Sequence, residues 1–167
     1  TERQTEHKYK SSYERIGKAV LEYSSLPKMD VTNFFELVLF SWLTGNNDMH
    51  LKNFSLYEAA DKIRLTPAYD LLNAAIINPN DDEELALTLN GRKKKLKRED
   101  FIKSAATMGI ENMIVERLIN KYIKLLPKFE AVIQNSFLST ELKGKYGELL
   151  RERLSRLSSY ADDSVRP

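Results

Sequence analysis

The feature that most constrains this chain is a run that is apolar on almost every side. Between Asp30 and Thr44, the residues Phe34, Phe35, Leu37, Val38, Leu39, Phe40, Trp42 and Leu43 leave only a thin polar strip at Asn33 and Glu36. Asp30 reads as the cap of a helix over this run. A helix so uniformly apolar has to lie at the centre of the fold, covered on all sides. With 167 residues, 42% of them hydrophobic, the chain has material for one core of this kind and too little for two full domains. Gly45 follows as a left-handed stop, so the chain leaves the core there as a loop.

That loop, Gly45-Asn46-Asn47-Asp48-Met49-His50-Leu51-Lys52-Asn53-Phe54-Ser55, crowds an acid, an imidazole, an ammonium and amides together. Asp48 and Asn53 are five positions apart. At roughly 100° per residue a helix would set them about 140° out of phase, too far to share a ligand. Two short strands are predicted next, Phe54–Tyr57 and Ile63–Thr66, joined by Glu58–Lys62 as a hairpin. Four residues out and four back cancel, which returns Asp70 to the neighbourhood of Asn53. A carboxylate beside an acceptor hydroxyl, with an amide oxygen and a second carboxylate for magnesium on nucleotide phosphates, is the equipment of phosphoryl transfer. In that reading Asp48 is the base, and Asn53 and Asp70 are the metal ligands. Asp and Asn also abound in loops because they bond their own backbone, and spacing by itself leaves these two readings equal. Lys52 is placed either to meet the transferring phosphoryl group or simply to be a solvated loop lysine.

The remainder reads as helical support. Residues 1–10 are polar and are expected to be a flexible N-terminal segment. A capping box of Ser11 and Glu14 starts a helix that carries Tyr13, Ile16, Val20 and Tyr23 on one face and stops at Pro27. Leu85–Leu89 is predicted as a buried strand turned at Asn90-Gly91 into the basic run 92–98. Helices are predicted from Glu99 to about Met108, from Asn112 to Ser136 with Pro127 kinking or splitting it, and from a Ser139 cap onward with leucines at 142–157. The tail over 161–167 is expected to be flexible. Lys and Arg number 26 against 24 Asp and Glu, so bulk charge favours neither nucleic acid nor a membrane surface. The basic run therefore reads as a solvated turn. There is no cysteine, and with only two histidines the sequence argues against a histidine-based zinc site. Freedom from cysteine fits a reducing cytosol, and no stretch has the roughly 18 apolar residues of a membrane span.

The residues Gly45–Ser55, with Leu65-Thr66-Pro67-Ala68-Tyr69-Asp70-Leu71-Leu72 and Leu87-Thr88-Leu89-Asn90-Gly91-Arg92-Lys93, resemble the C-terminal domain of HipA-type toxin kinases. The resemblance implies a mainly α fold: the helical C-lobe of a HipA-like, protein-kinase-like structure, with a small β-hairpin after the catalytic loop, over residues 11–160. It implies ATP and Mg2+ as cofactors, with Asp48 matching the catalytic base and Asn53 and Asp70 the magnesium ligands. His50 then supports the catalytic loop by hydrogen bonding. Implied partners are a small DNA-binding antitoxin and a protein substrate such as an aminoacyl-tRNA synthetase, in the cytoplasm. A Gly-rich phosphate loop and a nucleotide lysine are not found, and the six glycines are scattered. An N-lobe, in cis or in trans, is therefore expected to complete the site, leaving this chain alone a poor catalyst. Small-molecule or lipid kinases carry a similar Asp-x-His-x-x-Asn loop and are the competing enzyme class. A non-catalytic module that binds an antitoxin is the competing non-enzyme.

Overall fold

A computed structural model of the chain describes residues 8–78 and 81–158. In order it contains α1 (Tyr13–Tyr23), α2 (Pro27–Thr44), a single 3₁₀ turn (Leu51–Asn53), β1 (Leu56–Ala59), β2 (Lys62–Leu65), α3 (Arg98–Thr107), α4 (Asn112–Gln134) and α5 (Thr140–Ser158). The architecture is mostly helical with one two-stranded antiparallel sheet, the fold class expected from the sequence. The tail 161–167, residues 1–7 of the N-terminal segment, and Pro79 and Asn80 of the predicted 78–82 loop lie outside the described residues. No helix among the described residues is long and apolar enough to cross a membrane.

Helix α2 is the axis of the core. Phe34, Phe35, Val38, Leu39, Trp42 and Leu43 are all fully buried, and each such side chain contributes about 1.5–3 kcal/mol on leaving water. Helices α1 and α5 pack against it, and α4 packs on α5. Phe34 meets Phe54 edge-on with ring centroids 5.0 Å apart, and Trp42 meets Phe101 of α3 at 4.9 Å. The aromatic faces thus carry the loop after α2 as well as the helices around it.

Three expected boundaries are corrected. Helix α2 starts at Pro27, three residues before the predicted Asp30 cap. Proline suits the first helical position because that N–H has no partner in any case. Helix α1 is capped by Ser12, whose Oγ accepts from Arg15 N at 3.3 Å. The Ser11–Glu14 box does not form, because Glu14 instead accepts from the distant Asn90 N at 2.7 Å. Leu85–Leu89 is buried as predicted but is no strand. Its pairing is one parallel bridge between Ser12 and Thr88 and one antiparallel bridge between Leu89 and Arg92. The chain at Ser12 turns at once into α1, so no ladder can extend. Pro127 lies inside α4, which continues through it to Gln134. The final helix is capped where expected, with Ser139 Oγ accepting from Leu142 N at 3.3 Å.

Asp30, displaced from its expected capping role, does different work. It is 1% exposed, and it accepts from Arg64 Nε and Nη2 of β2, from Ser24 Oγ at 2.7 Å and from Leu65 N at 2.9 Å. Together with Ser25 N donating to Ile63 O at 2.7 Å, this fastens the hairpin to the start of α2. Burial raises the Asp30 pKa, but the hydrogen bonds from Arg64, Ser24 and Leu65 N and the Arg64 charge outweigh it and leave the carboxyl below its ordinary range.

Removing one partner of a buried pair strands the other groups. Asp30→Ala is expected to destabilise the fold by about 3 kcal/mol, the low end for such pairs because Arg64 can reach water. Because the folded-state pKa is depressed, the contribution is present above the unfolded value of 3.8 and is lost as pH falls through the folded-state pKa. Chemical denaturation of wild type and Asp30→Ala across that range checks both: the two curves should converge at low pH. A constant gap would contradict the assignment.

Candidate active site

The loop begins where α2 ends. Gly45 is left-handed at φ 81°, and Asn46 N closes the helix on Ser41 O at 2.8 Å. A Cβ on Gly45 would sit 2.5 Å from Asn73 Oδ1, so the position needs glycine for space as well as for conformation. Asn73 Oδ1 accepts from Ile76 N at 3.1 Å, and Ala75 N donates to Gly45 O at 3.0 Å. The segment following Asp70 is thereby clamped onto the start of the loop.

The hairpin returns the chain as the strand lengths predict, although the strands are displaced to Leu56–Ala59 and Lys62–Leu65. Ala60 and Asp61 form a tight two-residue turn, both at positive φ (49° and 60°). Asn53 and Asp70, seventeen positions apart, meet directly: Asn53 Nδ2 donates to Asp70 Oδ2 at 2.5 Å. Asn53 is buried, and its Oδ1 accepts from His50 N at 2.9 Å. Asp70 is exposed and left-handed at φ 57°, and its carbonyl is held by Asn46 Nδ2 at 3.1 Å. The neighbouring Tyr69 hydroxyl donates to Lys52 O at 2.9 Å and shares a hydrogen bond with Ser55 Oγ at 2.9 Å. The return strand is therefore tied to the loop at both backbone and side chain.

Asp48 is half-buried on the wall of a cleft of about 520 Å³, also lined by Tyr9, Asn47, Ala74, Glu83 and Lys93. Its Oδ1 accepts from the Tyr9 hydroxyl at 2.8 Å. Among the described residues no hydrogen bond links Asp48 to Asn53 or Asp70, so the carboxylate faces the cleft separately from that pair. His50 is 8% exposed; it engages the loop through its backbone N–H to Asn53, while its Nδ1 is buried without a hydrogen-bond partner. Lys52 is exposed. In the basic run, Lys93, Lys94 and Arg98 pair with Glu83, Asp82 and Glu116; Lys94 is exposed, while Lys93 and Arg98, the latter at the start of α3, are half-buried.

No group of three or more His, Cys, Asp or Glu side chains among the described residues could hold a metal by itself. Asn53 turns its amide N–H to Asp70 Oδ2 and its Oδ1 to His50 N, so what the pair could offer a cation is the second lone pair of that Oδ1 and the Asp70 carboxylate. Oxygen donors of this kind suit magnesium, which takes waters and substrate phosphates as its remaining ligands. Sequence reading attached no role to Asn46 or Tyr69, although both stand inside the motifs it singled out. Tyr9 stands where the family resemblance begins, at about Lys8-Tyr9, but in a polar segment with no periodicity to give it a role.

Comparison with known proteins follows the same residues. Residues 1–128 match the family model described as the HipA-like C-terminal domain. A Haemophilus influenzae protein named "Putative kinase" is 26% identical over 144 residues, 76% of this chain and 42% of that protein. A Sinorhizobium fredii protein named "Putative kinase Y4dM" is 34% identical over 131 residues, 76% of this chain and 31% of that protein. In the solved complex of the Shewanella oneidensis MR-1 toxin–antitoxin system, HipA and HipB with operator DNA, one chain superposes with a TM-score of 0.76 at 19% identity. That match covers 93% of this chain and 38% of the other. The chain thus spans less than half the length of these curated relatives.

Gly45→Ala should cost about 2 kcal/mol, half from the left-handed backbone and half from displacing the Asn73 amide off Ile76 N. In an Asn73→Ala background only the backbone part should remain. Denaturant midpoints of the two singles and the double measure this; strictly additive losses would mean that the close approach to Asn73 does not matter.

Proposed function

The chain belongs to the family of HipA-like C-terminal domains, and we propose that it is the C-terminal catalytic lobe of a serine/threonine protein kinase of a toxin–antitoxin system. The reaction is transfer of the ATP γ-phosphoryl group to a protein hydroxyl. The observation that carries this reading is the direct Asn53–Asp70 contact across a seventeen-residue excursion, on the same loop that puts Asp48 on the wall of a cleft. The kinase names of the two curated relatives support it.

In the proposed mechanism Asp48 orients the acceptor hydroxyl in the cleft and takes its proton as the oxygen attacks the γ-phosphorus and the bond to the β,γ-bridging oxygen breaks, releasing ADP. Asn53 and Asp70 would hold magnesium, which when bound neutralises charge on the nucleotide phosphates. His50 N fixes the Asn53 side chain through its Oδ1, and Asn46 keeps the Asp70 backbone in place. Exposed Lys52 offers a cation to the transferring group. A second lobe, in cis or in trans, supplies the Gly-rich loop and nucleotide lysine, and the greater length of the relatives accommodates one. The Shewanella complex of HipA with HipB and operator DNA supports a small DNA-binding antitoxin as partner. The family resemblance supports a cytoplasmic protein acceptor such as an aminoacyl-tRNA synthetase.

Labelled-ATP transfer by the complete protein tests the reading. Asp48→Ala should lower the rate by roughly 10²- to 10⁴-fold, equivalent to about 3–5 kcal/mol of barrier. Asp70→Ala should raise the magnesium concentration needed for half-maximal rate. Equal rates for wild type and Asp48→Ala would sink the catalytic assignment.

A further inference from the structure

An aspartate carboxylate turns easily about its last torsion, for which the energy wells are broad and nearly two-fold. A base that has to meet a hydroxyl at one place needs its plane held by something outside itself. Within the loop, Asn53 is fixed by His50 N and Asp70. Among the described residues the one side-chain hydrogen bond to the Asp48 carboxylate comes from Tyr9, outside the loop, at 2.8 Å.

Tyr9 is itself held in place. Its ring meets the His50 ring edge-on with centroids 5.4 Å apart, and the Lys8 ammonium lies 4.6 Å from the ring centroid. Lys8 O accepts from Leu51 N at 3.3 Å, which joins the Tyr9 backbone to the loop three residues beyond Asp48. One helical turn further on, the Tyr13 hydroxyl, fully buried, donates to Met49 O at 2.8 Å. Segment 8–13 therefore grips residues 48–51 at side chain and backbone.

We infer that Tyr9 is a positioning residue for Asp48: its hydroxyl occupies Oδ1 and fixes the plane of the carboxylate, presenting Oδ2 to an acceptor in the cleft that both residues line. His50 contributes by packing against the Tyr9 ring. The inference rests on the kinase reading for its catalytic consequence, but the contact itself does not.

Tyr9→Phe keeps the ring against His50 and removes the hydroxyl alone. In the complete protein it should lower kcat for transfer roughly 10-fold, the loss expected for one hydrogen bond to a charged group, with KM for ATP and acceptor unchanged. The Tm of wild type, Tyr9→Phe, Asp48→Ala and the double variant gives a second readout independent of turnover. The shift caused by Tyr9→Phe should vanish once Asp48 is gone. An unchanged kcat, or additive Tm shifts, would overturn the inference. A faster Tyr9→Phe enzyme would also overturn it, by making Tyr9 a plug on the base, as would label recovered on Tyr9 itself. If the wild-type protein transfers no phosphate, the kinase reading fails by itself, and the thermal cycle still decides whether Tyr9 holds Asp48.

Discussion

Helix α2 is buried nearly all round, and a helix in that position cannot be shifted or rotated without opening voids on several sides at once. Its C-terminus is therefore a fixed point in space. Gly45 turns the chain at that point, so the loop that follows inherits the precision of the core: Asn46, Met49, His50 and Asn53 are buried, and Asn47 and Asp48 line the cleft. Rigid elements beneath and buried amides within the loop are how the fold holds the half-buried Asp48 in place at the cleft.

Polar interactions with long sequence separation complete the frame. Asp30 and Arg64 fix the hairpin to the beginning of α2. At the far end Glu84 accepts from Trp42 Nε1 at 2.8 Å and from Arg156 at 2.9 Å. Burial raises its pKa, and these donors with Leu96 N outweigh that and hold it low. Arg153, whose guanidinium donates to Trp42 O, is pushed down to about 10 by burial. Both ends of α2 are thus anchored by ionic groups that face inward. These groups add little net stability over well-packed apolar substitutes, but they tolerate few alternative arrangements.

What the sequence revealed divides along the range of the interactions involved. The apolar character of α2, the Gly45 stop and the hairpin that returns Asp70 to Asn53 are set by local pattern, and all were legible. The starts of the first two helices were not, unlike those at Asn112 and after Ser139, because the choice between Pro27 and Asp30, or between Ser11 and Ser12, was decided by distant partners: Arg64 took the carboxylate of Asp30, and Asn90 took that of Glu14. Leu85–Leu89 has the composition of a strand, but strand character needs a neighbour to pair with, and that neighbour turns into α1. The contact of Tyr9 with Asp48 spans thirty-nine positions and leaves no trace in spacing or periodicity.

The match to the family model stops at residue 128, inside α4 and one residue past Pro127. Yet Leu150, Leu154 and Leu157 of α5 are buried in the core, and Arg153 reaches the carbonyl of Trp42. The stretch that the family model matches is therefore shorter than the stretch that closes the core around α2, although the Shewanella superposition covers 93% of the chain. What α5 has to bring is volume, an apolar strip and one guanidinium, demands that many different sequences satisfy. Grafting the shared stretch into another protein would succeed only where the host offered a surface of that shape.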